Sequence, residues 1–304
     1  MTQDRPLIGI MFMLGFCLLA PMGDALAKLL GETTPIGLLV FARFAVQALI
    51  LVPIVYLTKR PWRMRGRIFS LTALRTALQI AGLTAMFTSL KFLPLADAVA
   101  IAFVMPFILL LLGNYFLNEE VGARRLMACV VGFIGTLMVI QPSFAEVGAP
   151  ALLPLVVAVI FALFMLVTRQ IAKETDPVSQ QAVSGAMASV VLLPVLLIGT
   201  LTETWDISLT IAPNTPLWLL AGIGVMGTLA HLCMTWSLRY APSATLAPMQ
   251  YLEIPVATLF GWIIFHDLPN GLAAIGILIT MAAGFYVIWR ERSIARSALT
   301  ETAA

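Results

Sequence analysis

The stretch Leu95-Ala-Asp-Ala-Val-Ala-Ile-Ala-Phe-Val-Met-Pro106-Phe-Ile-Leu-Leu-Leu-Leu-Gly-Asn-Tyr-Phe-Leu117 is long and apolar enough to cross a bilayer, yet holds a proline near its centre. A second version of it occurs later. Ser89-Leu-Lys-Phe-Leu-Pro94 matches Ser237-Leu-Arg-Tyr-Ala-Pro242, and each runs into an apolar span, the second with Pro255 near its middle. The offset is 148 residues at Pro94 and Pro242 and 149 at Pro106 and Pro255, so one residue is gained between them. Proline removes a backbone hydrogen bond and clashes with the preceding turn. In lipid the freed carbonyl must be satisfied by neighbouring helices or a wet cavity. Two interrupted helices at matching places in two halves of a membrane protein point to a transport site.

Composition places the whole chain in the membrane. Of its 304 residues 61% are hydrophobic and 11% charged, with a mean hydropathy of +0.99, far outside the range of soluble domains. Runs of about 20 apolar residues recur at 7–30, 35–57, 68–90, 95–117, 122–140, 149–171, 178–200, 215–237, 243–265 and 270–289. The expected fold is therefore all-α and integral to the membrane, with ten transmembrane helices. The segment after Met1 to Pro6 is a full-length span without a cleavage site, so it is expected to stay as the first helix.

Lysine and arginine give the orientation. Alternate connections hold Arg5; Lys59, Arg60, Arg63, Arg65 and Arg67; Arg124 and Arg125; Arg169 and Lys173; Arg239; and Arg290, Arg292 and Arg296, which is 14 of the 18 basic residues. The opposite side has Lys28 and Lys91, while Arg43 and Arg75 fall inside spans. Both termini are thus expected in the cytoplasm. The basic connection Lys59 to Arg67 lies where it would meet anionic lipid, but topology already accounts for its placement and no further role is assigned to it. The net charge of +3 gives no indication of nucleic acid.

The duplication reaches further. Gly31-Glu-Thr-Thr-Pro35 resembles Lys173-Glu-Thr-Asp-Pro177 at an offset of 142, while Phe116, Gly122 and Gly135 match Phe265, Gly271 and Gly284 at 149. The expected units are a five-helix repeat over 1–142, a second over 143–292 and a short cytoplasmic tail over 293–304. Five is odd, so the second copy is inverted, the symmetry that lets one scaffold open first to one side and then to the other.

These features resemble the drug/metabolite transporter superfamily in its ten-helix EamA-type branch. The resemblance rests on the double repeat, the run ending at Pro106, Glu119 or Glu120 closing the fourth span, and Gly132-Phe-Ile-Gly135 leading to Gln-Pro142; the second half has Asp267 where that acidic close falls. It implies transport of small metabolites, often export, through a central cavity in the bacterial inner membrane, with amino acid exporters as the nearest analogues. Nucleosides, vitamins and drugs are the alternative cargo. An integral-membrane enzyme acting on a lipid-linked substrate is the alternative from another class.

Ionisable residues within spans are costly, about 2.5–3.5 kcal/mol at a helix centre, and each needs a partner or a task. Asp24 and Arg43 lie roughly 9 and 12 Å from the outer boundary on consecutive helices and are expected to form an ion pair that fixes those helices, with substrate contact or gating as the alternative. Arg75 and His231 lie roughly 9–10 Å from the cytoplasmic boundary and Glu253 about 15 Å, with Gln79 and Gln250 on the faces of Arg75 and Glu253. Arg75, Gln79, His231, Gln250 and Glu253 are the candidate cavity residues, with Pro106 and Pro255 as the helix breaks. Glu253 and Arg75 together would hold the ammonium and carboxylate of a zwitterion. If protons are the coupling ion, Glu253 and His231 are the groups to carry them. Asp97 reads as a charge at a helix start.

Other chemistry is not indicated. Cys17, Cys129 and Cys233 stand alone in separate spans, so no metal site is expected. Gly222-Ile-Gly-Val-Met-Gly227 spells GxGxxG but sits within an apolar span with no strand before it, and reads as close helix packing rather than dinucleotide binding. No phosphate-binding loop, HExxH or GxSxG occurs. No cofactor is expected; the partners are a small-molecule substrate and the lipid bilayer.

Overall fold

A computed structural model describes residues 5–117, 122–213, 215–268, 271–272, 274–283, 285–286 and 289. Among them the regular structure is helical: α1 (Pro6–Gly31), α2 (Ile36–Leu57), α3 (Arg67–Ser89), α4 (Leu95–Ala102), α5 (Met105–Leu117), α6 (Ala123–Val147), α7 (Leu153–Ala172), α8 (Pro177–Leu201), α9 (Leu217–Tyr240), α10 (Ser243–Leu246) and α11 (Glu253–Phe265). A last apolar helix, α12, covers Ala274–Ala283. Seven helical stretches are long and apolar enough to span a membrane; shorter apolar helices at Leu126–Met138, Met249–Phe265 and Ala274–Ala283 lie where the other three spans are expected. Glu119, Glu120, Gly284, Arg290, Arg292, Arg296 and the expected tail 293–304 lie outside the described residues.

The two prolines do not themselves mark the breaks. The fourth span stops at Ala102 and resumes at Met105, so Pro106 is the second residue of α5. In the ninth span a 3-10 stretch, Ala247–Leu252, separates α10 from α11, and Pro255 is the third residue of α11. A proline in the first helical turn has no intrahelical bond to lose, so the break falls upstream of it. The half-helices α5 and α11 are both 13 residues long and are offset by 148 at each end. The breaks touch: the rings of Phe103 and Tyr251 are 5.7 Å apart. Tyr251 Oη also donates to the Cys129 carbonyl at 3.1 Å, which holds the second break against α6.

Helix pairing crosses the two halves, with α1 packed along α9, α2 along α8 and α3 along α7. The glycines of the GxGxxG string serve this packing. A Cβ at Gly224 would stand 2.3 Å from Val46 Cβ, and one at Gly222 would meet Leu26 at 3.2 Å. Gly224→Ala is therefore expected to push α9 off α2 and destabilise the protein by about 1–3 kcal/mol, read as a lower unfolding temperature in detergent.

The ends of the bundle carry different ion pairs. At one, Arg60 meets Asp176 and Arg67 meets Glu174, both at 2.9 Å, while Arg239 donates to the Ala172 and Thr175 carbonyls. At the other, Lys91 meets Asp206 at 2.8 Å and Lys28 meets Asp267 at 3.7 Å. The connections from Lys59 to Arg67 and Lys173 to Asp176 thus share one end, and Lys28 and Lys91 the opposite one.

Candidate functional site

A cavity of about 640 Å³, counted out to its open mouth, lies where the two breaks meet. Its walls come from α1, α3, α4, α5, α7, α9 and α11. From Gln79 and His231 it runs toward Met86, Val99 and Val157, each close to the end of its helix on the Lys91 side. The lining is mostly apolar and aromatic, including Phe16, Phe103 and Phe161. Its polar groups are Asp24, Gln79, His231 and Glu253, and it contains no Lys or Arg among the described residues.

Glu253 is the first residue of α11, made available by the preceding 3-10 stretch. At a helix start an acidic side chain is favoured by the unbonded backbone amides and the helix dipole. Asp24 lines the same cavity from α1. Each carboxyl lacks an ion pair within 4 Å among the described residues. The amide nitrogen and oxygen of Gln79 are both buried without a partner.

The expected ion pair between Asp24 and Arg43 is not formed. Arg43 instead donates from Nη1 to Gln47 Oε1 at 2.7 Å, and from Nη2 to the Gly227 carbonyl at 2.5 Å and to His231 Nδ1 at 2.9 Å. Gln47 Nε2 bonds the Gln181 carbonyl at 2.6 Å, and Gln181 Nε2 reaches Thr235 Oγ1 and the His231 carbonyl, both at 2.9 Å. This chain links α2, α8 and α9. Gly227 leaves the space for it, since a Cβ there would lie 1.8 Å from Arg43 Nε.

Nδ1 of His231 faces two partners, Arg43 Nη2 at 2.9 Å and the Gly227 carbonyl at 3.0 Å; it accepts from the first, since a guanidinium only donates, or donates to the second. Phe16, Phe161 and Phe164 surround the ring at 6.0, 6.2 and 5.8 Å between centroids. Nε2 is buried without a partner, and His231 lines the cavity. It is thus an unused ring nitrogen at the cavity wall.

Of the five residues expected in one cavity, the structure brings together Gln79, His231 and Glu253 and leaves out two. Arg75 points away, donating from Nε to Thr168 and from Nη1 to Ser184, both at 2.9 Å, with its guanidinium 4.7 Å from the Phe164 ring centre. Gln250 Nε2 meets Met165 Sδ at 3.3 Å. The zwitterion clamp of Glu253 and Arg75 is therefore absent from this cavity. Depth along a helix is legible from residue number, whereas which side of a neighbour a side chain meets is set by packing. Asp24 therefore takes the cavity position that was only the alternative reading, and the Arg43 chain was not read from the sequence for that reason. The spacing of Arg43 and Gln47, four apart on one helix face, is the sequence signal that connects them.

Apolar helices that cross between two halves around an acidic, ring-lined cavity define a polytopic membrane protein built to enclose a small molecule. The chain belongs to the EamA-like transporter family, whose model matches residues 7–141 and again 149–289. It is a transporter, not an enzyme, and a multi-pass protein of the bacterial inner membrane.

It is 28% identical over 236 residues to a riboflavin transporter of Brucella anthropi, covering 77% of this chain and 82% of the relative. Identity is 25% over 270 residues to an S-adenosylmethionine uptake transporter of Rickettsia felis, with 88% of each covered. A pseudopaline exporter of Pseudomonas aeruginosa is 24% identical over 261 residues, covering 85% of this chain and 88% of that protein. A protein crystal structure shares the fold with a TM-score of 0.68 at 17% identity, over 95% of this chain and 98% of the other.

Proposed function

We propose that this protein is a secondary carrier for a small metabolite that combines a flat ring with a positive charge or several N–H donors. The observation that carries this reading is the pairing of Asp24 and Glu253 across a cavity whose other walls are largely aromatic and aliphatic and lack any cation among the described residues. The room for water-sized spheres in this state is about 90 Å³, below the roughly 300–1,000 Å³ typical of ligand sites, so the walls must part to admit a ring-bearing cargo. Cationic groups gain from unpaired carboxyls in a dry site, and phenylalanine rings take a flat ring or a cation on their faces. S-adenosylmethionine, the cargo named for one set of relatives, has both features; riboflavin, named for another, has the ring and an imide donor. Amino acids, the first expectation, fit less well because most of them offer the phenylalanine rings no flat ring and the two carboxyls no net positive charge.

Ten spans in two inverted five-helix repeats, 1–142 and 143–292, with both termini cytoplasmic, complete the proposal. The cavity then opens outward and is closed toward the cytoplasm. On the closed side Arg75 Nη2, both amide atoms of Gln180 and Gln250 Oε1 are buried without partners, beside Thr168, Ser184 and Met165. Buried polar atoms left unpaired are costly, and an alternate state in which they line a wet inward opening supplies their missing partners. Arg75 and Gln250 are thus assigned to the inward opening, Gln79, His231 and Glu253 to the outward one. Asp24, Glu253 and His231 are the groups through which protons would couple.

Counterflow in proteoliposomes tests the proposal, with labelled S-adenosylmethionine, riboflavin and leucine, with and without a pH gradient. Saturable exchange of the ring-bearing cation is expected. Linear, unsaturable flux would remove the carrier reading, and saturable exchange of leucine alone would remove the substrate class.

A further inference from the structure

A second hollow lies on the membrane-facing side of the bundle, far from the cavity, where α2, the connection 58–66, the start of α3 and α8 come together. Its room for water-sized spheres is about 570 Å³, and it is open on one side. Val52, Tyr56 and Phe69 form one set of walls and Ala182, Ala186 and Met187 the other. Several of these are strongly exposed, Tyr56 at 81% and Phe69 at 50%. Arg63 and Arg65 line its mouth beside Trp62.

The basic residues of this connection are not equivalent. Arg60 and Arg67 are neutralised by Asp176 and Glu174, contacts that tie two connections together. Arg63 lies 5.7 Å from the Trp62 ring centre, and neither Arg63 nor Arg65 has an ion pair among the described residues. Gly66, with φ +55° and ψ −131°, turns the chain immediately before α3 in a conformation that suits glycine, so the connection folds back over the hollow. The result is a lipid-facing apolar trough, about one and a half turns long along α8, capped by two uncommitted guanidinium groups and an indole.

The geometry points to an anionic phospholipid bound in this trough, one acyl chain between α2 and α8 and the phosphate held by Arg63 and Arg65. Guanidinium groups bind phosphate oxygens in a fork. Indole rings favour the membrane interface, and a trough open to hydrocarbon cannot be filled by water without cost. The site spans α2 and α3 of the first half and α8 of the second, so a lipid there touches both.

Native mass spectrometry of the full chain, released from nanodiscs of equal phosphatidylglycerol and phosphatidylethanolamine, tests this. The intact protein is expected to retain phosphatidylglycerol preferentially. The double substitution Arg63→Gln with Arg65→Gln should lower that preference roughly tenfold or more, while Arg124→Gln, an exposed basic residue elsewhere, should leave it unchanged. Ala186→Trp, which fills the trough with both arginines intact, should also abolish it. Equal loss in Arg124→Gln, retention in Ala186→Trp, or displacement of the lipid by excess inorganic phosphate would each overturn the assignment. Unfolding temperatures of all variants exclude a loss due to misfolding.

Discussion

Glu253→Gln is expected to lower transport of a cationic substrate by roughly tenfold to a hundredfold while leaving the protein folded. The carboxyl lines the cavity at the start of α11 and has no ion pair among the described residues. Glutamine keeps its shape and its reach but removes the charge. A charged hydrogen bond in such a site is worth about 1.5–3 kcal/mol, and each 1.4 kcal/mol is about tenfold. Folding should not suffer, because a buried unpaired carboxylate costs more than a neutral amide in the same place. The measurements are initial rates of uptake into proteoliposomes and unfolding temperature in detergent. A variant that transports at the parent rate would show that Glu253 does not hold the cargo, and one that fails to fold would show that its role is structural. Asp24→Asn is a partner test: if both carboxyls face one ligand, the two substitutions together should cost less than the sum of each alone.

Arg43→Ala is expected to have the largest effect on stability, about 3 kcal/mol or more. The guanidinium serves three acceptors, Gln47 Oε1, the Gly227 carbonyl and His231 Nδ1, in a region closed to water. Removing it orphans the two side-chain acceptors and leaves a void. Lysine does not repair the loss, since a single ammonium lacks the planar fork that reaches all three. Gly227→Ala should act on the same network from the other side, by displacing Arg43 rather than deleting it. Thermal unfolding of Arg43→Ala, Arg43→Lys and Gly227→Ala checks this. If Arg43→Ala unfolds within a few degrees of the parent, the network contributes little to holding α2 against α9. Arg43→Lys should also alter substrate binding through His231, because the Nη2 to Nδ1 contact helps to orient a ring that lines the cavity.

The residue order alone determined that this chain lives in the membrane, where the seven long apolar helices seen among the described residues lie, that one family pattern occurs twice, and that the stretches around Pro106 and Pro255 are interrupted. Hydrophobic run length and the distribution of Lys and Arg are one-dimensional quantities, and lipid enforces them because an unpaired backbone group or a stray charge is expensive there. Glu253, His231 and Gln79 were legible as deep polar residues for the same reason.

Only the tertiary structure decided which of those residues meet. Asp24 and Arg43 lie at similar depths on consecutive helices, yet α1 packs along α9 and α2 along α8, so Asp24 turns to the cavity while Arg43 reaches Gly227 and His231. Arg75 and Glu253 likewise are both buried, yet Glu253 lines the cavity while Arg75 donates to Thr168 and Ser184. Residue number fixes height in the bilayer at 1.5 Å per position. Rotation about the helix axis relative to a neighbour comes from side-chain packing across the interface, and partners in space follow from it.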